Sequence, residues 1–256
     1  MTEQNSGEKF HPEPNLPPGG TLWGKTRFFV RLLLDLQVSS VLRQLRPWLA
    51  KRTGLLLEVG CGGQPYRHLV PAGCRYSGLE WEGAEAAFSY RAPDTFTYDG
   101  GRFPFEDGSY DALFHTEVLE HIYDYRLFLA ECHRVLAPSG ELFFTVPFQA
   151  RYHYIPHDYF RSTPAALERL LTEAGFYRIR ITPRGNDITV AAYKNISVLY
   201  RWLRSGPGGM VAGILLSPLA LPFLLVGWLS LRIPMGSPDD CLGYAVTAET
   251  GTKEKG

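Results

Sequence analysis

The chain has 256 residues, 45% of them apolar, which is enough for one large domain or for a domain with an appendage. Its 26 basic and 26 acidic residues cancel, so there is no electrostatic footprint for nucleic acid. Four cysteines, Cys61, Cys74, Cys132 and Cys241, form no C-x-x-C pair; they give no metal or disulfide pattern and fit a reducing compartment.

Residues 1–20 are polar and rich in Pro and Gly, read as a disordered lead-in without a signal peptide. Leu22 to Leu49 carries apolar residues at helical spacing, punctuated by Arg27, Arg31, Arg43 and Arg46. The pattern predicts one long or two shorter amphipathic helices ending near Pro47. Leu55 to Gln64, Leu-Leu-Leu-Glu-Val-Gly-Cys-Gly-Gly-Gln, is an apolar run closed by glycines, with Pro65 suited to a first helical position. It reads as buried strand, glycine turn and helix start, the opening of a nucleotide-binding α/β domain. Further strands are expected at 75–81, 96–98, 110–115, 141–146 and 176–182, with helices at 117–136 and 163–174; 82–95 is too irregular for a helix. Asp187 to Arg204 reads as a helix, Ser205 to Leu231 has no charged residue, and Leu242 to Ala248 reads as a last strand.

A dinucleotide fingerprint requires glycine where Pro65 stands, and no lysine follows for a phosphate-binding loop. Glu58, Gly60 and Gly62 instead resemble the D/E-x-G-x-G-x-G motif of class I S-adenosylmethionine (SAM) methyltransferases, departing from it at Gln64. The central block Asp99-Gly-Gly-Arg-Phe-Pro-Phe-Glu-Asp-Gly-Ser-Tyr-Asp111 is followed by Glu117-Val-Leu-Glu-His121, then by Arg134-Val-Leu and Pro138 to Gly140. Together these closely resemble the small-molecule and lipid branch of that family over roughly Leu55 to Phe176.

The resemblance implies a Rossmann-like, seven-stranded, mostly parallel sheet with helices on both faces, and SAM as cofactor. It implies that the backbone of Gly60, Cys61 and Gly62 faces the methionine part of SAM, with Glu58 close by. Glu80 is expected to accept from the ribose hydroxyls, since charge-assisted bonds suit a carboxylate and a diol. Trp81 would cover the adenine face, plain packing being the alternative. Asp99, beside Gly100, would accept from the adenine amino group, and His115 and Thr116 would line the methionine end. Methyl transfer itself needs alignment and, for some acceptors, a base. The candidates are His121 and His157; His153, Tyr154, Asp158 and Tyr159, in the loop after strand five, are candidate acceptor-binding residues. Glu117 and Glu120 read as helix-capping residues, and no metal set is expected.

Met210 to Ile233, about 24 residues, has the length of a bilayer span, but the last strand must rejoin the sheet, so both flanks lie on one side. Pro218 and Pro222 are expected to break the segment, giving a shallow re-entrant hairpin or interfacial anchor. The expected organisation is therefore lead-in 1–20, SAM-binding domain 21–185, hydrophobic helical insert 186–238, and last strand with tail 239–256. The expected activity is methyl transfer to a lipid-linked, glycan or hydrophobic small-molecule acceptor at the cytoplasmic membrane face, with no nucleic-acid partner. The alternatives are a soluble methyltransferase that dimerises through the insert, and a catalytically silent SAM-fold binding protein.

Overall fold

The computed structural model describes residues 16–88, 92 and 94–251. Most of the expected lead-in, 1–15, and the tail residues 252–256 lie outside the described residues. The apolar run at Leu55 becomes β1 (Gly54–Val59), whose last four residues are buried. It is followed by β2 (Cys74–Trp81), β3 (Phe96–Tyr98), β4 (Tyr110–Thr116), β5 (Leu136–Pro147), β6 (Phe176–Arg184) and β7 (Gly243–Thr250). The strands form one sheet in the order β3-β2-β1-β4-β5-β7-β6. β1 pairs in parallel with β2 and β4, β2 with β3, and β4 with β5. β7 is antiparallel, so the sheet is mixed but mostly parallel, and β7 rejoins it between β5 and β6.

The helices are α1 (Leu22–Leu34), α2 (Leu36–Leu49), α3 (Ala84–Phe88), α4 (Tyr125–Val135), α5 (Pro164–Glu173), α6 (Asp187–Leu203) and α7 (Pro207–Ser230). Neighbouring strand residues point to opposite faces, and β4 shows what covers each. Phe114 meets Trp48, at the end of α2, with ring centroids 6.2 Å apart, while His115 meets Phe128 of α4 at 5.2 Å.

Several local expectations are corrected. Pro65 starts no α-helix; Gln64 adopts a left-handed φ of 53°, and only a three-residue 3-10 turn, Arg67–Leu69, precedes β2. The irregular stretch after β2 does contain a short helix, α3. The helix expected over 117–136 is split: Glu117 has φ 53°, Leu119–His121 is a 3-10 turn, and α4 starts only where the Asp124 carboxylate caps it, accepting from Leu127 N at 3.1 Å. The Pro138 to Gly140 turn is a bulge inside β5, because Tyr110 pairs with Leu136 and Ala112 with Glu141. Thr250 pins it, its hydroxyl accepting from Gly140 N at 3.0 Å and donating to the Ala137 carbonyl at 2.5 Å.

The expected break at Pro218 and Pro222 does not occur; both lie inside the continuous 24-residue α7. A proline leaves the carbonyl four residues earlier without its helical donor. For Pro218 that carbonyl is Ile214 O, and the Ser217 hydroxyl donates to it at 2.8 Å. Among the described residues α7 is the one helix long and apolar enough to cross a membrane, by length and composition.

The chain divides into two compact units, one of residues 1–18, 45–182 and 245–256, the other of 19–44 and 183–244. The first holds the sheet's motif segments and every candidate site residue. In the second, Asn186 caps α6 in a reciprocal box with Thr189, and its amide donates to the carbonyls of Ser230 at 3.1 Å and Met235 at 2.6 Å. Leu36, Val190, Ala192, Leu231 and Leu242 form its buried cluster. No residue of α1 is buried, and most large apolar side chains of α7 are exposed.

Candidate active site

The site is built at the carboxyl ends of β1, β2 and β3, where a parallel sheet leaves its loops facing a ligand. Gly60 turns the chain after β1 with φ 65°, and a Cβ there would strike the Val118 side chain. Its N–H and that of Cys61 donate to the Leu79 carbonyl at 2.8 and 3.2 Å, which ties this turn to the neighbouring strand. Gly62 N then donates to Glu80 Oε2 at 2.7 Å, and Trp81 N to Glu80 Oε1 at 2.9 Å. The buried Glu80 carboxylate is thereby fixed, while an ionised carboxylate has about four acceptor positions.

Glu58 is buried on β1 and accepts from the Tyr76 hydroxyl at 2.5 Å. Burial pushes its carboxyl up to about 8; the Tyr76 bond opposes this and the Glu80 charge adds to it. Cys61 is buried, and desolvation with the Glu58 and Glu80 charges holds its thiol far above the ordinary range. Asp99, exposed, accepts from Gly101 N at 2.8 Å through one oxygen. Gly100, with φ 100°, lies close to the Trp81 indole.

His115 is the last residue but one of β4. It lies within β4, fully buried, stacked on Phe144 with centroids 4.7 Å apart, and neither ring nitrogen has a hydrogen-bond partner. Burial pushes its pKa down to about 3. Thr116, the last residue of β4, is half-buried and pairs with Thr145.

The loop after β5 brings the remaining residues together. His157 sets its ring edge to face against Trp81, centroids 5.6 Å apart, and its Nδ1 is 3.3 Å from the Tyr159 hydroxyl. The His157 carbonyl accepts from His121 Nδ1 at 2.5 Å, and the rings of His121 and His153 are 5.0 Å apart. Tyr154, at φ 52°, lies against both. Tyr159 N donates to the Glu120 carbonyl at 2.8 Å, tying the loop to the 3-10 turn that carries His121. Burial lowers the His121 pKa to about 4, the bond to His157 opposing it, so the ring is neutral at pH 7.

Asp158 is buried and acts inward, not toward a ligand. It accepts from Arg161 at 2.6 and 2.7 Å and from His153 N at 3.1 Å. Burial favours its neutral form, but the bonds from His153 and Arg161 win and keep it ionised well below the usual carboxylate range. Sequence reading missed Arg161 and Tyr76. The Asp158 to Arg161 spacing could have suggested the first; only the strand register, with Leu56 opposite Tyr76, reveals the second.

Residues 57–144 match the family described as a methyltransferase domain. A protein of Mycolicibacterium smegmatis, described as a "probable S-adenosylmethionine-dependent methyltransferase", is 31% identical over 136 residues, 47% of this chain and 51% of that protein. The match thus spans about half the length of that curated relative. The fold is shared with a SAM-dependent methyltransferase of Archaeoglobus fulgidus (TM-score 0.50, 16% identity, 88% of this chain and 99% of that one). It is shared equally with one from Thermotoga maritima (0.50, 15%, 88% and 96%). Residues 57–144 thus resemble a methyltransferase domain, and the sheet has the Rossmann-like fold of class I SAM-dependent methyltransferases.

SAM is the family's cofactor, and the donor set present suits it. Glu80 offers a rigid carboxylate, held by two backbone donors, and a carboxylate is the group a ribose diol requires. Asp99 keeps a carboxylate oxygen beyond its Gly101 bond.

Proposed function

We propose that the protein is a SAM-dependent methyltransferase whose acceptor is a hydrophobic or lipid-linked small molecule met at a membrane surface. The observation that carries the activity is the rigid Glu80 carboxylate, held by Gly62 and Trp81 at the ends of two adjacent strands of a methyltransferase fold. In this reading Glu80 grips the ribose hydroxyls, Asp99 the adenine amino group, and Trp81 one face of the adenine. The backbone at Gly60, Cys61 and Gly62 faces the methionine part, and Thr116 closes that end. Buried His115 acts from behind, by packing on Phe144 and Phe128.

Bound SAM supplies a methyl group on a sulfonium, with a neutral thioether as leaving group. The protein's share is alignment of the acceptor, and removal of its proton where the acceptor atom carries one. His121, held neutral and weakly basic by burial, is a poor base at pH 7. His157 is the better candidate, half-buried beside Trp81 with Tyr159 orienting its ring. His153, Tyr154 and Tyr159 would contact the acceptor, with Asp158 and Arg161 holding that loop in place.

The membrane part of the reading rests on the second unit. Leu22, Trp23 and Phe29 of α1 and Leu215, Leu219, Leu221 and Leu225 of α7 are exposed, and apolar patches of this extent mark interaction surfaces. Lys25, Arg27 and Arg31 lie among the apolar residues of α1, as in helices that rest on anionic lipid. In this reading the protein works at the cytoplasmic face.

Calorimetry tests the cofactor. The wild type should bind SAM and S-adenosylhomocysteine, and Glu80→Ala should weaken both roughly a hundredfold, about two charge-assisted hydrogen bonds. Binding without transfer of labelled methyl to any component of a membrane extract would favour the silent binding protein. Flotation tests the surface: the detergent-free chain should rise with lipid vesicles and stay with them in high salt, because an apolar attachment is not screened. A dimer left at the bottom of the gradient would make α1 and α7 a subunit interface instead.

A further inference from the structure

We propose that Glu120, His121 and His153 form a binding site for one divalent transition-metal ion beside the loop that follows β5. One ligand atom from each residue can be chosen so that all lie within 4.8 Å of one another, the spacing of donors around a single ion. The two histidines are already oriented for it. His121 donates its Nδ1 proton to the His157 carbonyl at 2.5 Å, which leaves the lone pair on Nε2, 3.7 Å from Glu120 Oε1. His153 Nδ1 is 2.7 Å from the Arg151 carbonyl and 3.2 Å from the Asp158 carboxylate. Both neighbours are acceptors, so Nδ1 carries the proton and Nε2 is the lone-pair nitrogen. Metal-bound histidines show this same arrangement, the far nitrogen donating to a carbonyl or carboxylate that fixes the ring.

Glu120 supplies the independent observation. Its side chain is 1% exposed, and neither carboxylate oxygen has a hydrogen-bond partner. Buried carboxylates without partners are rare because desolvation costs several kcal/mol. Here the oxygen lies 3.7 Å from another acceptor, the Nε2 lone pair of His121, a spacing that one bound cation can bridge. Glu117 and Asp158 add negative charge to the locality. Arg161, a cation acting on Glu120, is committed to Asp158 and to the carbonyls of Phe160 and Arg151. A two-nitrogen, one-oxygen set suits Zn²⁺, Mn²⁺, Fe²⁺ or Co²⁺ better than Ca²⁺, and it leaves coordination positions for water or an oxygen of a ligand. No such set was legible in the sequence, because His153 is far from the Glu120-His121 pair and only the loop's return to the 3-10 turn joins them.

The site stands whether or not the protein transfers methyl groups, so the test reads metal directly. Untagged full-length protein, stripped with chelator and dialysed, is titrated with Co²⁺ while visible absorption is recorded. One ion per chain should bind with ligand-field bands of a nitrogen- and oxygen-coordinated ion, and Zn²⁺ should displace it. Glu120→Gln and His153→Ala should each weaken Co²⁺ roughly tenfold or more. SAM affinity and the melting curve are measured on the same samples. Should Glu120→Gln fold poorly, His153→Ala, on a loop, carries the test. No Co²⁺ bound below millimolar concentration, or equal affinity in wild type and both variants, would overturn the site; the contact between Glu120 and His121 would then be bridged by a proton.

Discussion

At the scale of single residues, the motif carboxylates divide by what they touch. Glu80 is held by backbone donors and aimed at a ligand, whereas Glu58 is spent on Tyr76 inside the sheet. Glu131 and Asp107 serve Arg134, whose guanidinium also donates to the carbonyls of Phe103 and Phe105 and so fixes the whole Asp99–Asp111 block. Sequence alone could not separate these roles, since all are acids at motif positions; the partner decides. Glu58 gives a pH prediction. Its carboxyl is raised from 4.5 to about 8, chiefly by burial. The folded state therefore holds a proton that the unfolded chain has lost, and the associated stability is complete below pH 4.5 and gone once the pH passes 8. Melting temperature should fall by several degrees between pH 5 and 9 in the wild type. Glu58→Gln should flatten that slope and melt above the wild type at pH 9. Parallel slopes in the two proteins would assign the pH dependence elsewhere.

At the scale of elements, strands were read more closely than helices. Buried parallel strands are short apolar runs bounded by glycine or acid, and the run from Leu55 becomes β1, its last four residues buried. Helix errors came from residues whose effect is settled by neighbours. Pro218 suggests a break, yet Ser217 satisfies the orphaned carbonyl and α7 continues. Glu117 was read into a helix, yet its positive φ delays α4 to Tyr125. The α6–α7 pair shows why α7 keeps glycines at a cost in helix propensity. A Cβ on Gly213 would lie 2.8 Å from Leu203 Cδ2, and one on Gly227 would lie 2.8 Å from both Ala192 Cβ and Leu36 Cδ1. Those gaps let the helix backbone approach closely. Gly227→Val should therefore destabilise the second unit by about 1–3 kcal/mol through overpacking. Limited proteolysis should show it as faster cutting between α6 and α7. Unchanged cleavage would mean that Leu36 can give way.

At the scale of the whole molecule, the class of fold and the expectation of SAM as cofactor followed from joint motifs, because a strand-end acid and a glycine turn are fixed by local sequence. The gathering of Glu120, His121 and His153 was hidden, because it depends on how a loop returns over the sheet. So was the association of residues 19–44 with the insert, which no periodicity could signal. One feature of the sheet also bears on how the protein is made. β7 lies between β5 and β6, yet it is the last strand to be synthesised. A nascent chain that has emerged only as far as α7 has two facing strand edges without their shared neighbour, and such edges invite wrong pairing. The uncharged α7 is outside the ribosome before that gap can be filled. Biogenesis is thus ordered by the chain itself: the greasiest segment must find its surroundings first, and the sheet is sealed afterwards.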